Sequence, residues 1–270
     1  MRRNRSFLLI VAGALAASPL QAQELPVGQS EAEYDAWLAS NPGHRGQILS
    51  FEAWQEAAGV RNVLPTWQIV RTASMWRECG GPPFEVPPFR LWPGMTRTLR
   101  FIRDHVRPAV GEVEAVSGYR NPALNSCARG SERSAHLDYY ALDLVPKQPL
   151  SRRILFERLC PMHARHGPAA GAGLGFYAFQ RFHIDTRSFR RWGAAGPQGN
   201  ESPCAVLERG GDPEAPAIPA RNGEGDRPQD GGGAPPPVQM PAPVPPPVAA
   251  PQPPAAVQQA PPPAPLEPPR

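Results

Sequence analysis

Apolar side chains recur every three to four residues in several stretches of the chain and at every second residue in others, and these two periods separate helices from strands. Ser30 and Glu33 have the spacing of a capping box ahead of Tyr34, Trp37 and Leu38, which predicts a first helix. Ser50 opens a second helical pattern, with Phe51, Trp54 and Ala58, that stops at Gly59. A third comes after Pro65, with Ile69, Ala73 and Trp76 at helical spacing, so residues 23–78 read as a helical N-terminal segment. Its tryptophans read as core packing rather than ligand stacking, because aromatic rings mostly bury area. Beyond a connection through Pro82, Pro83, Pro87 and Pro88, the positions Met95, Leu99, Ile102 and Val106 predict an amphipathic helix ending near Pro108.

Strand signals then take over. Val113 to Val116 leads into Ser117 to Pro122, an extended segment that ends in turn residues, and Ala141 to Val145 is a second strand. Ser151 caps a helix carrying Ile154, Leu155 and Leu159 that Pro161 is expected to disturb. A glycine-rich stretch, Gly171 to Gly175, and the segment Arg181 to Thr186 complete the set. Helices and short strands alternate without βαβ spacing or a repeat. This predicts an α+β domain over residues 79–210, with helices packed on a mainly antiparallel sheet.

Composition changes the picture at the two ends. Residues 1–22 combine Arg2, Arg3 and Arg5, an apolar run from Phe7 to Ala17, and Ser18, Pro19 and Ala22, the pattern of a secretory signal peptide. The run is too short to cross a bilayer, which takes about 20 residues, so export without a stable membrane anchor is expected, to the periplasm or outside. Of the 38 prolines, 21 fall in residues 211–270, which lack the large apolar side chains needed to offset ordering entropy; a disordered Pro-rich tail is expected there. Of the net charge of +4, three units sit in the leader, so the rest of the chain is nearly balanced. No basic run is interleaved with aromatics, and nucleic acid is not expected as a partner.

Export makes disulfides the expected state of Cys79, Cys127, Cys160 and Cys204, none of which forms a Cys-x-x-Cys pair. Three connectivities are open. The nearness of Cys79 and Cys204 to the ends of the motif-bearing segment favours a clasp between them, with Cys127 joined to Cys160. Oligomeric state has no signature in the chain.

Two histidines are placed unlike the rest. His136 precedes Asp143 by seven positions, and on a strand Leu142 and Leu144 face one side while Asp143 faces the other. An acid in a segment otherwise destined for burial needs a charge partner or a metal. In Phe182-His183-Ile184-Asp185 the same alternation puts His183 and Asp185 on one face and the apolar pair on the other. If the two strands are neighbours, His136, Asp143 and His183 converge as two imidazoles and a carboxylate, a zinc ligand set with room for water. Taken singly, each histidine reads more often as a hydrogen-bonded core residue than as a ligand.

The order Ser117-Gly118-Tyr119-Arg120 with Asn125, then Ser134-x-His136 and Asp143, then His183-x-Asp185, resembles the zinc D-alanyl-D-alanine carboxypeptidases and their relatives, the D-Ala-D-Ala dipeptidases and hedgehog-like zinc domains. The resemblance spans about Met95 to Trp192. It implies a mixed α+β fold, one Zn2+ held by His136, Asp143 and His183, and hydrolysis of peptide bonds near D-alanine, with peptidoglycan peptides as partner. It also implies a catalytic Arg120 at the scissile carbonyl, Ser134 and Tyr119 near the substrate, and Asp185 orienting a ligand. The chain departs from the pattern twice. Tyr139 stands where the family has glycine, which narrows the expected pocket, and Gln180 and Ala178 occupy the neighbourhood of the usual glutamate or histidine base. Asp138, Asp185, His163 and His166, the last expected in a loop, are the remaining base candidates. The alternatives are a zinc-retaining wall-binding protein with weak or no turnover and a metal-free, disulfide-held envelope scaffold.

Overall fold

A computed structural model describes residues 25–195 and 201–215. The expected signal peptide and residues 216–270 of the expected tail lie outside these. Helix α1, Glu31–Ser40, starts at the capping box: Ser30 Oγ accepts from the Glu33 amide, and Glu33 accepts from the Ser30 amide at 2.8 Å. Helix α2, Pro42–Ala57, begins eight residues before Ser50. Asn41 caps it by accepting from the Gly43 amide at 2.8 Å, and Pro42 occupies the first turn, where no amide donor is needed. Ser50 lies mid-helix, its hydroxyl donating to Gly46 O. The pattern after Pro65 yields only the single turn α3, Thr66–Ile69. Beyond it the backbone is drawn into pairing instead: Glu85 donates to Val70 O at 2.9 Å and Gly118 to Arg71 O at 2.8 Å.

The amphipathic stretch forms α4, Trp92–Phe101, a π-helical turn, Ile102–Val106, and α5, Arg107–Val110. The wide turn lets the helix pass Pro108, whose ring would otherwise meet the carbonyl of Asp104. Strand β1, Val113–Ser117, is followed by α6, Pro122–Cys127, and β2, Ala141–Pro146. Helix α7, Arg152–Ala170, runs unbroken through Pro161 and Pro168, contrary to expectation. Leu155, Phe156, Leu159, Cys160 and His163 are buried along it, and packing outweighs the lost hydrogen bond. Strands β3, Gly173–Phe176, β4, Phe182–Asp185, and β5, Arg190–Trp192, precede the last helix, α8, Pro203–Glu208.

The sheet order is β1-β2-β4-β3-β5, antiparallel throughout except for the β3–β5 pair, so the α+β expectation holds. One face carries Leu142, Leu144, Leu174, Phe176, Phe182 and Ile184, which join a single apolar cluster with α4, α7 and the N-terminal residues Tyr34, Ile48 and Phe51. Arg71, 2 % exposed, ties the N-terminal segment in: its guanidinium donates to Gln29 O, Glu114 and Ala115 O at 2.7–2.8 Å. Asp143, His183 and Asp185 lie on the opposite face.

The cysteines pair as Cys79–Cys127 and Cys160–Cys204, overturning the expected clasp. The second bridge joins α7 to α8, which pack together, and the first ties the turn at Cys79 to the end of α6. Both bridges require an oxidising environment to persist, and among the described residues no helix is long and apolar enough to cross a membrane. The fold continues past Gly210: Pro213 is buried, and Arg153 pairs with Asp212 at 3.2 Å.

Candidate metal centre

Neighbouring strands make the site. In the β2–β4 register Asp143 stands directly opposite His183, Leu142 opposite Ile184 and Leu144 opposite Phe182, so the apolar pairs go to the core and the polar pair to the other face. A bulge between Ala115 and Ser117 brings Ser117 opposite Asp143. His136 arrives from the turn before β2. Ser134 Oγ accepts from its amide at 3.3 Å, and its own carbonyl accepts from the Arg120 amide at 3.2 Å.

The protons on the two imidazoles are set by their outer partners. His136 Nδ1 lies 2.6 Å from Gly118 O, which only accepts, so the proton sits on Nδ1 and the Nε2 lone pair faces inward. His183 Nε2 lies 3.0 Å from Asp185 Oδ2, and a proton there turns the Nδ1 lone pair inward. Three acceptor atoms then face one another: His136 Nε2 to His183 Nδ1 is 3.2 Å, His183 Nδ1 to Asp143 Oδ1 3.0 Å, and His136 Nε2 to Asp143 Oδ1 3.3 Å. All three residues are buried. Tetrahedral ligands about 2.0–2.1 Å from one ion stand about 3.3 Å apart, so the triangle fits a small divalent cation.

Electrostatics acts on the three residues in different directions. Burial, then the charge of Arg120, pushes His136 down to about 4 and keeps it neutral. Burial opposes a charge on His183, but hydrogen bonds to Asp143 and Asp185 outweigh it and raise its pKa. Burial also opposes the Asp143 charge, yet Arg181 and the hydrogen bond with His183 hold its carboxyl well below the usual range. Its Oδ2 accepts from Arg120 at 2.7 Å and Arg181 at 2.6 Å. Asp185 is committed to His183, the Arg187 amide and Arg190.

Beside the triad opens a cleft of about 870 Å³, lined among others by Arg120, Arg152, Tyr177, Phe179, Gln180 and Arg181. Arg120 and Arg181 both line the cleft and bond Asp143, so they stand between the cleft and the triad.

The structure therefore brings together Arg120, His136, Asp143, His183 and Asp185. It does not bring Tyr119 to the cleft, because that ring is turned into the apolar cluster against Tyr139. Ser134 does not line the cleft either; it shapes the His136 turn. Tyr139 does not narrow the pocket. It has the left-handed φ of 57° that glycine would hold without strain, and its fully buried side chain donates to Ile69 O at 3.2 Å.

Among the base candidates, His163 is buried, with its ring bonded to Ala172 O and Arg191, and Asp138 pairs with Arg187. His166 sits inside α7 rather than in a loop, stacked on His105. Gln180 and Ala178 line the cleft.

Sequence reasoning missed Arg181, Arg190 and Trp192. Arg181 shares the strand alternation of His183 and Asp185, a signal masked by the abundance of arginine in the chain. Glycines at alternate positions gave a second signal. Gly175 and Gly173 stand opposite His183 and Asp185, and a Cβ on either would overlap the Trp192 ring or the Asp185 carboxylate. The Trp192 ring lies 5.5 Å from His183. Comparison with protein-family models, curated proteins and solved structures found no match.

Proposed function

We propose that the chain is an exported, zinc-dependent peptidase hydrolysing D-alanine-containing peptide bonds in the stem peptides of peptidoglycan, in the periplasm or outside the cell. The observation that carries this reading is the triangle of inward lone pairs on His136, Asp143 and His183, with edges of 3.0–3.3 Å. The motif order from Ser117 to Asp185, the leader-like residues 1–22 and the two disulfides support it.

His136, Asp143 and His183 would hold the zinc, which when bound supplies Lewis-acid polarisation and brings the pKa of water down to about 7. Asp185 fixes the His183 ring, and Gly118 O fixes the His136 ring, so each lone pair is aimed in advance. Arg120, 11 % exposed and anchored on Ser117 and Asp143, holds a positive charge on the cleft side, where negative charge grows on the scissile carbonyl.

Gln180 accepts no proton at neutral pH, and a general base is worth about 100- to 10,000-fold, so turnover is expected to be slow. Gln180→Glu should raise it by about ten-fold or more. Muropeptides digested with and without chelator test the reading: shortened stems should form only in the zinc-loaded sample, and equal product in both overturns it. Gln180 also favours a second reading, a zinc-retaining wall-binding protein without turnover. That reading predicts bound zinc and retention on insoluble wall with no cleavage.

A further inference from the structure

None of the three triad residues lines the cleft, and their exposures are 2 % for His136, 0 % for Asp143 and 3 % for His183. An ion, a water or a peptide carbonyl in the cleft therefore meets the wall before it meets a lone pair. Among the described lining residues, three interact with the triad through Asp143. Arg120 and Arg181 both bond its Oδ2, and burial and then the Asp143 charge push the Tyr177 hydroxyl up. For the triad to act on anything in the cleft, one of these side chains has to move.

Their fastenings differ. Arg120 turns Nε and NH2 onto Ser117, with NH2 also on Asp143, and is 11 % exposed. Ser117 is itself fixed in β1, opposite Asp143. The Tyr177 ring stands edge to face with Trp192, centroids 4.9 Å apart. Arg181 is 26 % exposed. Beyond Asp143, its guanidinium is held by the hydroxyl of the exposed Ser74, 3.0 Å from NH1, and by the Tyr177 ring 4.9 Å away. Its Nε is buried with no acceptor, so the position that closes the wall leaves a desolvation cost standing. The Arg181 backbone is fixed, because its carbonyl accepts from the Tyr177 amide at 3.1 Å. What remains is rotation of the side chain toward the cleft, a fast equilibrium rather than a backbone rearrangement.

We propose that Arg181 is the gate of the triad. With its guanidinium on Asp143 and Ser74 the centre is closed to the cleft, and it opens when that side chain turns outward. Arg120 stays in place and keeps Asp143 Oδ2 paired in both states. The proposal deepens the peptidase reading and rests on it for the identity of what enters; the gate itself rests on burial and pairing.

Entry is measured as the rate at which chelator-stripped, full-length, disulfide-intact protein takes up Co2+ in stopped flow, read by the visible absorption of the coordinated ion. With a fast gate this rate scales with the open fraction. Ser74→Ala removes only the tether and should speed uptake about three-fold, and Arg181→Ala removes the gate and should speed it about ten-fold or more, the ranges expected for a neutral and a charged hydrogen bond. Ser117→Ala, which loosens Arg120 instead, should leave the rate unchanged. Equal rates in the wild type, Ser74→Ala and Arg181→Ala overturn the proposal, as does acceleration in Ser117→Ala alone, which would make Arg120 the moving part. Should Arg181→Ala fail to fold, Ser74→Ala against Ser117→Ala decides. If the wild type and the variants take up no Co2+, the metal reading fails, and the gate is decided by diethyl pyrocarbonate, with modified imidazoles located by mass spectrometry. His136 and His183 should then react faster in Ser74→Ala and Arg181→Ala than in the wild type, and equal rates overturn the gate.

Discussion

Asp143 shows two faces, Oδ1 to the imidazoles and Oδ2 to two guanidiniums, so its loss and the loss of His183 should differ. Removing His183 takes away one ligand and leaves the arginines paired. His183→Ala should therefore lose its metal, read by elemental analysis of pure protein, while losing less stability than the variant at Asp143. Asp143→Ala leaves Arg120 and Arg181 facing each other without a counter-charge, and breaking a buried pair costs about 3–5 kcal/mol. It should lose the metal and also unfold at markedly lower denaturant; equal midpoints for the two variants would show that the guanidiniums find other partners. The same residue explains what is legible in the sequence at this scale. An acid between Leu142 and Leu144 announces a buried partner, but nothing local says that the partner includes Arg181, because arginine is common in this chain and most copies are exposed.

Strands β2 and β4 are legible because alternation fixes which side chains share a face, and a correct face fixes the site once the strands pair. The start of helix α2 is misread at Ser50 because a serine before an apolar run imitates a cap; Asn41 and Pro42 hold the real start. The continuity of α7 is hidden because Pro161 breaks an isolated helix, whereas here Leu155 to His163 anchor both sides of it. Strand β5, only Arg190–Trp192, carries no apolar pattern to see, yet it lays Trp192 over Gly175 of β3. Gly175→Ala should push that ring aside and lower both metal content and melting temperature, since overpacking costs about 1–3 kcal/mol.

The α7–β3 junction has its own pH signature. Burial holds the His163 imidazole below its ordinary 6.5, although the Ala172 carbonyl pulls the other way. The unfolded chain thus takes up a proton before the folded one does. Stability present above about pH 6.5 is lost as the pH falls from there towards the folded value. His163→Gln should flatten the change in melting temperature between pH 7 and 5.5, and an unchanged slope would assign that dependence to other groups.

Across the whole molecule, one apolar cluster joins the N-terminal helices to the sheet, and two disulfides close loops of similar span. Chain-entropy reasoning gives each bridge about 2–4 kcal/mol. Replacing Cys160 and Cys204 together by alanine should lower stability by that order in urea titration, with α8 released first. Which cysteines pair is not legible in the sequence, because the answer depends on which helices touch. Trp192 has a practical consequence. With its indole 5.5 Å from the His183 ring, it would be an intrinsic reporter of any ion held by the triad. Copper(II) entering the triad would quench ultraviolet emission from that ring, so ion affinity can be followed by titration without any attached dye.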